Sequence, residues 1–558
     1  MPRFLVLLFA FGCAHAASAP LGRRPQAGPA RSGDGVGQIS EEAHKLLRAE
    51  GELLWQRWTT GAGPLPASAL SAHPRLAQKD PIAMVSAAAG RASGDDARAL
   101  SLLSRQLATL AIAREAGAEI EALDRARARL AFAAPGDANG TLGERDLDRL
   151  LRDEPSAQKR AAIALSEAKA AQPLAPLALA RDAAVDKAIA ILGLGSWADL
   201  MVSSHGSSLA ELERLAEATL AATEQAGARA VAASAVRNLG ITADRVRRGD
   251  LPRLARTAVA DSQFTPGKAW PDARAALAQA GVAPPAGLRV DAEPSPSKGT
   301  RPLALLVDPP EDVRLSLRPA GGYEEERATL HEGARATAGT LTSVSRWELA
   351  QLGDGSAAEG VALLFEALAG TPDWLRTATQ LRGEPLDDVV HTEATRRLLA
   401  ARRAAALLLF EIRRRNEART AEAQGALYRA LLQRALFCSL SDEDAGRWPL
   451  EADIFARSAS PLLGAILSAQ LEVSFGPSWW KSAQPALKEI LAGGRSMTAL
   501  EAARAAGLDH LDPSALASVT EDRLRYSAPD APPPAPKPDY KYMQGDKKKK
   551  KHKKPPPQ

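Results

Sequence analysis

The chain has 558 residues and a mass of 58.8 kDa, with 45% hydrophobic, 25% charged and only 4% aromatic residues. It is long enough for about two to four domains, or for one large body with a packed core. Long tracts of Ala, Leu, Arg and Glu favour helices, so we predict a mostly α-helical protein. No aromatic or glycine-rich pattern indicates a nucleic-acid module, and we expect no specific nucleic-acid partner.

Residues 1–16 are predicted to be an export signal. Arg3 precedes an apolar run from Phe4 to Phe11, and small residues follow this run. Two processing routes stay open: simple cleavage after Ala16, which we favour, and lipidation of Cys13. We therefore expect an exported protein that is periplasmic, envelope-associated or secreted. No other segment approaches ~20 uninterrupted apolar residues, so we predict no transmembrane span in the mature chain.

A disordered leader and a helical N-terminal lobe are predicted to follow the signal. Residues 17–38 are rich in Pro, Gly and Ala and lack apolar periodicity, which is typical of a flexible segment. From Ser40 onward, apolar residues recur at helical spacing, and we assign residues 39–265 to the first lobe. Its clearest helical patterns, together with the one just after it, cover residues 97–134, 143–171, 174–192, 208–237 and 271–280.

The pattern changes in the second predicted lobe, residues 266–526, which begins with a small β element. "PLALLVD" from Pro302 is a short apolar run, and Val313, Leu315 and Leu317 alternate with polar residues. This period of two predicts a strand with one covered face, and two or three strands before the next helix. Further helices are predicted at residues 357–368, 387–436, 459–474 and 482–492.

Two cysteines occur in the whole chain. Cys13 lies in the signal or carries lipid, so the mature fold has no internal disulfide and depends on its core. Cys438 lies in the apolar segment "RALFCSLSD", which predicts a small buried residue and not a nucleophile.

The last segment, residues 527–558, is predicted to be a disordered tail rich in proline and lysine. It contains nine Lys and three Asp, a net charge of +6, which leaves −1 for the rest of a chain whose total is +5. Such a run is attracted to any anionic surface without reading sequence. An ordinary solvated terminus is the alternative interpretation.

The stretch "GGYEEERATLHEGARATAG" (321–339) carries the candidate site. In a His-Glu-x-x-His helix, two imidazoles four residues apart bind one zinc ion, and the intervening Glu activates a water. Here His331 and Glu332 are present, but Arg335 stands where the second histidine is expected. A second helix offers Glu359, 28 residues after His331, as a further acidic ligand.

These segments resemble the thimet oligopeptidase and oligoendopeptidase family of zinc peptidases. "DVRLSLRPAGGYEEERATLHEGARA" resembles the family's strand, glycine pair and zinc helix, "AAEGVALLFEAL" its helix with the third ligand, and "FGPSWW" a segment near its C-terminal end. The resemblance implies a large, two-lobed helical fold over residues 40–526. It also implies that His331 and Glu359 correspond to zinc ligands and Glu332 to the general base.

Two departures from the family pattern predict a degenerate site. Arginine is permanently protonated and has no acceptor, so Arg335 cannot coordinate a metal. The family also uses tyrosines in its C-terminal half, but the matching stretch "EADIFARSASPLLGAI" has none, and Tyr428 is the only tyrosine between Glu359 and "FGPSWW". His331, Glu359 and the base Glu332 are therefore predicted to be vestigial.

We hypothesise that Arg335 replaces the metal by forming bidentate pairs with Glu332 and Glu359, which would hold the two helices together. The predicted function is non-catalytic binding of a peptide or an envelope protein, with no cofactor. The alternative is an active zinc metallopeptidase with altered ligation, in which His391 or His205 replaces the missing histidine.

Overall fold

The computed structural model describes residues 35–133, 141–205, 207–417 and 419–528. This part of the chain is mostly α-helical, as predicted, and contains five short strands. The helices before the sheet are α1 (Gly35–Thr60), α2 (Lys79–Ala89), α3 (Gly94–Glu115), α4 (Gly117–Ala128), α5 (Glu144–Asp153), α6 (Ala157–Ala171), α7 (Ala175–Leu192), α8 (Trp197–His205), α9 (Leu209–Ala222), α10 (Glu224–Ser234), α11 (Leu251–Leu254) and α12 (Ala269–Gln279). The helices after it are α13 (Tyr323–Leu341), α14 (Trp347–Gln351), α15 (Ser356–Glu366), α16 (Pro372–Ala378), α17 (Glu384–Asn416), α18 (Ala421–Leu436), α19 (Asp442–Ala445), α20 (Trp448–Glu451), α21 (Ala459–Phe475), α22 (Pro485–Ala492), α23 (Ala499–Ala505) and α24 (Ser514–Leu524). The strands are β1 (Ala131–Ala133), β2 (Thr141–Gly143), β3 (Arg289–Asp291), β4 (Leu303–Asp308) and β5 (Asp312–Ser316).

Two expected boundaries are wrong. Helix α1 begins at Gly35, so residues 35–38 belong to the fold and not to the leader. The helix predicted over 387–436 is two helices, because α17 ends at Asn416 and Thr420 caps the start of α18. The side-chain oxygen of Thr420 accepts a hydrogen bond from the backbone of Ala423, which starts a new helix that folds back on α17. The hairpin of β1 and β2 was not predicted.

The small β element lies where the alternating pattern predicted it, as a three-stranded sheet in the order β3-β5-β4. Strand β3 runs parallel to β5 and β4 runs antiparallel to it. The expectation of one covered face is wrong, because Arg314 is also buried. Its guanidinium lies 2.6 Å from Asp312 and 2.6 Å from Glu52 of helix α1, which covers this second face. Burial of an arginine is tolerated here because both carboxylates pair with it.

Helix α13 packs on the other face of the sheet and begins at the glycine pair. Gly321 and Gly322 have φ angles of 78° and 95°, which favour glycine over other residues. A side chain at Gly321 would also collide with the backbone oxygen of Phe264, 2.9 Å away. Glu324 and Glu325 follow in the first turn of α13, where negative charge complements the helix dipole. The glycine pair therefore sets the direction from which α13 enters the core.

Helices α15 and α21 cross at unusually close range. A Cβ on Gly464 would come within 3.0 Å of the backbone nitrogen of Gly360, and one on Gly360 would meet Leu467 at 2.6 Å. Trp479, from the "FGPSWW" segment, closes this region by packing edge-to-face on Phe365 of α15, with ring centroids 5.1 Å apart. The two glycines and the tryptophan thus fix the helix that carries Glu359.

The main hydrophobic cluster contains residues from both predicted lobes, and α17 packs against α9 and α10 as well as α21 and α24. The lobe boundary at residues 265/266 stays a prediction. The predicted signal, most of the leader and nearly all of the tail lie outside the described residues. No helix in the described ranges is long and apolar enough to cross a membrane.

Candidate functional site

Helices α13 and α15 bring the predicted site residues together. His331, Glu332 and Arg335 lie on α13, and Glu359 lies on α15, which packs against it. The Nε2 atom of His331 is 3.7 Å from the nearer carboxylate oxygen of Glu359 and 3.9 Å from that of Glu332. His331, Glu332 and Glu359 therefore form one cluster in the structure.

The closest partner of His331 is a residue that the sequence reasoning missed. Its Nδ1 atom lies 2.7 Å from Glu366, two turns beyond Glu359 on α15. Glu366 also accepts hydrogen bonds from Arg327 of α13 and, at 2.7 Å, from Arg396 of α17. Arg396 in turn pairs with Glu393 on its own helix. A buried ionic network thus connects three helices through Glu366.

The proposed role of Arg335 needs correction. One guanidinium nitrogen lies 3.3 Å from Glu332, and no ion pair joins Arg335 to Glu359 among the described residues. The contact between α13 and α15 is instead made by His331, with Glu359 and Glu366 as its partners. Arg335 instead pairs with Glu332, which lies three residues earlier on the same helix.

Glu332 is held by two donors. One carboxylate oxygen accepts a hydrogen bond of 2.8 Å from the backbone nitrogen of Ala304, in strand β4 at the edge of the sheet. The other faces Arg335. Each oxygen of Glu332 therefore already accepts one hydrogen bond from the protein.

The charged groups of the cluster shift one another's pKa values. Burial alone would lower the pKa of His331, but Glu359 and Glu366 raise it to about 10. Burial alone would raise the pKa of Glu359, but His331 and Arg335 hold it below its ordinary value. Glu332 raises the pKa of Arg335 further. The cations and carboxylates therefore neutralise one another.

A zinc ion does not fit these residues. His331 and Glu359 are two candidate ligands, one fewer than the three protein ligands typical of catalytic zinc. Arg335 adds a permanent positive charge one turn away. Within the described ranges, no group of three or more His, Cys, Asp or Glu side chains is arranged to hold a metal ion.

His391 and Tyr428 do not join the site. His391 lies on α17, where Arg237 donates to Nδ1 at 2.9 Å and Nε2 donates to the carbonyl of Tyr526 at 2.9 Å. The side chain of His205 lies outside the described residues. Tyr428 is fully buried and packs on Phe410, with ring centroids 5.5 Å apart.

Cys438 is 7% exposed, as the sequence predicted, and burial raises the pKa of its thiol to about 12. A thiol that stays protonated at neutral pH is a poor nucleophile. Cys438 is therefore a structural residue of the core.

A cavity of about 210 Å³ lies beside the cluster, between α13, α15 and the start of α21. Arg335 and Glu359 line one side, and Arg495, in the turn after α22, lines another. The stretch in which the family pattern places tyrosines contributes Ser460 and Pro461, so this stretch does reach the cavity. The residues that line it include no tyrosine.

Some of the missed residues had a sequence signal and some had none. Glu366 is seven residues after Glu359, and Arg327 is four residues before His331, so each lies on the same helix face as its neighbour. Helical spacing was sufficient to find both. Arg396 and Arg495 come from segments whose approach depends on the tertiary fold.

A comparison with protein-family models gives no match to this chain, and a comparison with curated protein sequences gives none either. Among solved structures, PZ peptidase A with an inhibitor is similar, with a TM-score of 0.57 and 11% sequence identity. The alignment covers 88% of this chain and 85% of that chain. Identity this low shows the fold alone, and the chain therefore has the helical oligopeptidase fold that its sequence indicated.

Proposed function

We propose that this protein is a non-catalytic member of the oligopeptidase fold, which binds a peptide or a protein segment without hydrolysing it. The observation that carries the proposal is Arg335, a permanent cation at the position of the second histidine ligand, paired with the vestigial base Glu332. Catalysis by the family's chemistry needs a metal at this place and a base that is available to water. The charge of Arg335 disfavours the metal, and its contact with Glu332 competes with a water for the base.

Two features support retained binding. The cavity beside Arg335 persists although the site is degenerate. A second hollow of about 600 Å³ lies at the start of α13, between Arg152 and Arg256 on one side and the glycine pair on the other. Together they offer polar concave surfaces near the position of a peptidase site.

Metal analysis tests the proposal directly. The purified protein and an Arg335→His variant are dialysed against zinc and then against buffer, and bound zinc is measured by elemental analysis. We expect no bound zinc in the wild type and up to one equivalent in the variant, since the substitution restores the second imidazole. One equivalent of zinc in the wild type would contradict the proposal.

A hydrolysis assay separates the proposal from its alternative, an active metallopeptidase with altered ligation. We expect no cleavage of short quenched peptides by the wild type. Cleavage that is abolished by a chelator and by Glu332→Gln would establish the alternative. Cleavage that is insensitive to both would point to a contaminating peptidase.

We also propose that the protein is exported by its N-terminal signal, with cleavage after Ala16 or lipidation of Cys13. The observation is the arrangement of Arg3, the apolar run and the small residues. Mass spectrometry of the protein from its native host tests it. A mature chain starting at Ala17, or a lipidated Cys13, is expected, and an intact chain starting at Met1 would contradict export.

A further inference from the structure

The cavity beside the vestigial site contains two guanidinium groups with donors to spare. Arg335 uses one nitrogen for Glu332. Arg495 has only a long hydrogen bond of 3.5 Å, from Nη2 to the carbonyl of Gly353, and its buried Nε has no acceptor among the described residues. A guanidinium has five N–H donors in a planar fork, and a buried donor without an acceptor is costly. Arg495 therefore has a buried donor that needs an acceptor, and Arg335, which is 34% exposed, offers further donors to the same cavity.

Arg495 is held at the cavity by its surroundings. A Cβ on Gly355 would come 3.4 Å from Nη2, so the guanidinium lies over the residue that precedes helix α15. Its own backbone bonds to the segment before α15: the carbonyl accepts from Gly355, and the nitrogen donates to Ala350. Burial, and then repulsion from Arg335, lower the pKa of Arg495, and the charges of Asp354 and Glu359 only partly offset this.

The carboxylates near the cavity already have other partners. Glu359 lies 3.7 Å from the His331 ring. Asp354 accepts hydrogen bonds of 3.0 Å from both the backbone nitrogen and the hydroxyl of Ser356, where it caps α15. The charges of both carboxylates favour the charged form of Arg495, but they do not outweigh the effect of its burial. An anion that enters the cavity therefore meets the two arginines as available partners.

The rest of the cavity limits the size and nature of this anion. A volume of about 210 Å³ accommodates one amino-acid residue but not an extended peptide. Leu306 of strand β4, Ala338 of α13, and Ile490 and Leu491 of α22 supply an apolar wall. The chemistry that fits is a carboxylate on a small apolar group.

We propose that the cavity binds the C-terminal residue of a peptide, with its carboxylate between Arg335 and Arg495 and its apolar side chain on the wall around Leu306 and Ile490. This inference rests on the proposed peptide-binding function and specifies the ligand class. The planar forks of two arginines match the two oxygens of a carboxylate. The substitution that removed the metal ligand thereby supplied half of a carboxylate site.

The test compares one peptide in two forms. Acetylated trialanine, as the free acid and as its C-terminal amide, is titrated into the full chain by calorimetry. We expect the acid to bind at least about tenfold more tightly than the amide. The amide lacks the negative charge, and its NH2 group would face the N–H donors of the two arginines. The same contrast should vanish in Arg495→Gln, which keeps a side-chain donor for the Gly353 carbonyl.

Lys488→Gln is the matched control. Lys488 is exposed on α22, close to Arg495 in sequence, and does not line the cavity. Lys488→Gln removes one positive charge, as Arg495→Gln does. An unchanged preference for the acid in Lys488→Gln therefore excludes a general effect of net charge. Acetate at equal concentration is the second control, because it carries the carboxylate without a residue attached.

Each outcome decides something. Equal binding of acid and amide to the wild type would overturn the carboxylate site but leave the protein a peptide binder. No binding of either form would contradict both proposals. Acetate binding as tightly as the peptide acid would overturn the assignment to a peptide end. A preference for the acid that survives in Arg495→Gln would also overturn the site, and the comparison on the wild type remains decisive if that variant does not fold.

Discussion

Glu326 is a single carboxyl group that the fold stabilises in its neutral form. It lies on α13, is fully buried, and neither of its oxygens has a hydrogen-bond partner among the described residues. Burial first, and then the neighbouring Asp272, raise its pKa to about 9. Lys268 opposes this shift but does not reverse it. Such a group makes folding stability depend on pH.

Replacing Glu326 by Gln should stabilise the protein at neutral and alkaline pH. The folded state keeps the proton up to about pH 9, whereas the unfolded chain ionises near its ordinary pKa of 4.5. Wild-type stability relative to the variant is therefore fully present below pH 4.5 and declines as pH rises towards 9. At pH 7.5 we expect the variant to unfold with about 2 to 4 kcal/mol more free energy. Urea unfolding at several pH values measures this, and parallel stability curves for the two proteins would contradict it.

Between elements, the core around the site is organised by charge and by close packing. The three helices α13, α15 and α17 share the network around Glu366, and α15 and α21 share the glycine contact. Both features fix α15, on which Glu359 lies. The residues of the candidate site therefore also hold these helices together.

Glu366→Gln should destabilise the contacts that α15 makes with α13 and α17. Glu366 is 6% exposed and pairs with Arg327, Arg396 and His331, so its loss leaves buried cations without one of their anions. The expected cost is about 3 kcal/mol in the free energy of unfolding. Thermal and urea unfolding measure it. Glu41→Gln, which breaks an exposed pair with Lys45, is the control and should cause no measurable change.

Gly464→Ala should push α21 away from α15. The new methyl group would meet the Cγ of Glu359 at 2.9 Å and the backbone nitrogen of Gly360 at 3.0 Å, and a backbone atom cannot move aside alone. We expect a loss of about 1 to 3 kcal/mol, measured as a lower Tm. Gly117→Ala is the control, because a Cβ there meets nothing within 4 Å; it should be neutral or slightly stabilising. An equal effect of both substitutions would contradict the packing argument.

For the molecule as a whole, charge is distributed unevenly along the sequence. The tail at residues 527–558 carries a net +6, whereas the rest of the chain is close to neutral. The proposed carboxylate site and the tail would thus serve different purposes. The carboxylate site would select a ligand by its geometry, and the tail would provide long-range attraction to negative charge.

Removing residues 547–558 should abolish attachment to anionic surfaces. Seven of the lysines lie in this segment, and each lysine near an acidic membrane contributes about 1 kcal/mol. In sedimentation with vesicles that contain phosphatidylglycerol, the full chain should bind at low salt and dissociate as salt is raised. The truncated chain should stay in the supernatant. Equal binding to neutral vesicles would show that the tail does not act by charge.

The sequence by itself determined those features that depend on neighbours along the chain. Helical and strand periodicity predicted the class of fold, the strands before α13 and the shared face of His331 and Arg335, because such patterns arise within one element. The same local information showed that Arg335 cannot be a metal ligand. Cys438 was predicted to be buried from its apolar surroundings, and it is.

Only the tertiary structure decided which charges meet. The chain contains 71 Lys and Arg residues, and nothing in their spacing sets Arg396 or Arg495 apart from the others. Arg314 follows an alternating pattern that predicts exposure, yet it is buried because α1 covers its face of the sheet. The partner of a charged side chain depends on how segments distant in sequence pack, and the free energy of an ion pair depends on the burial that this packing creates.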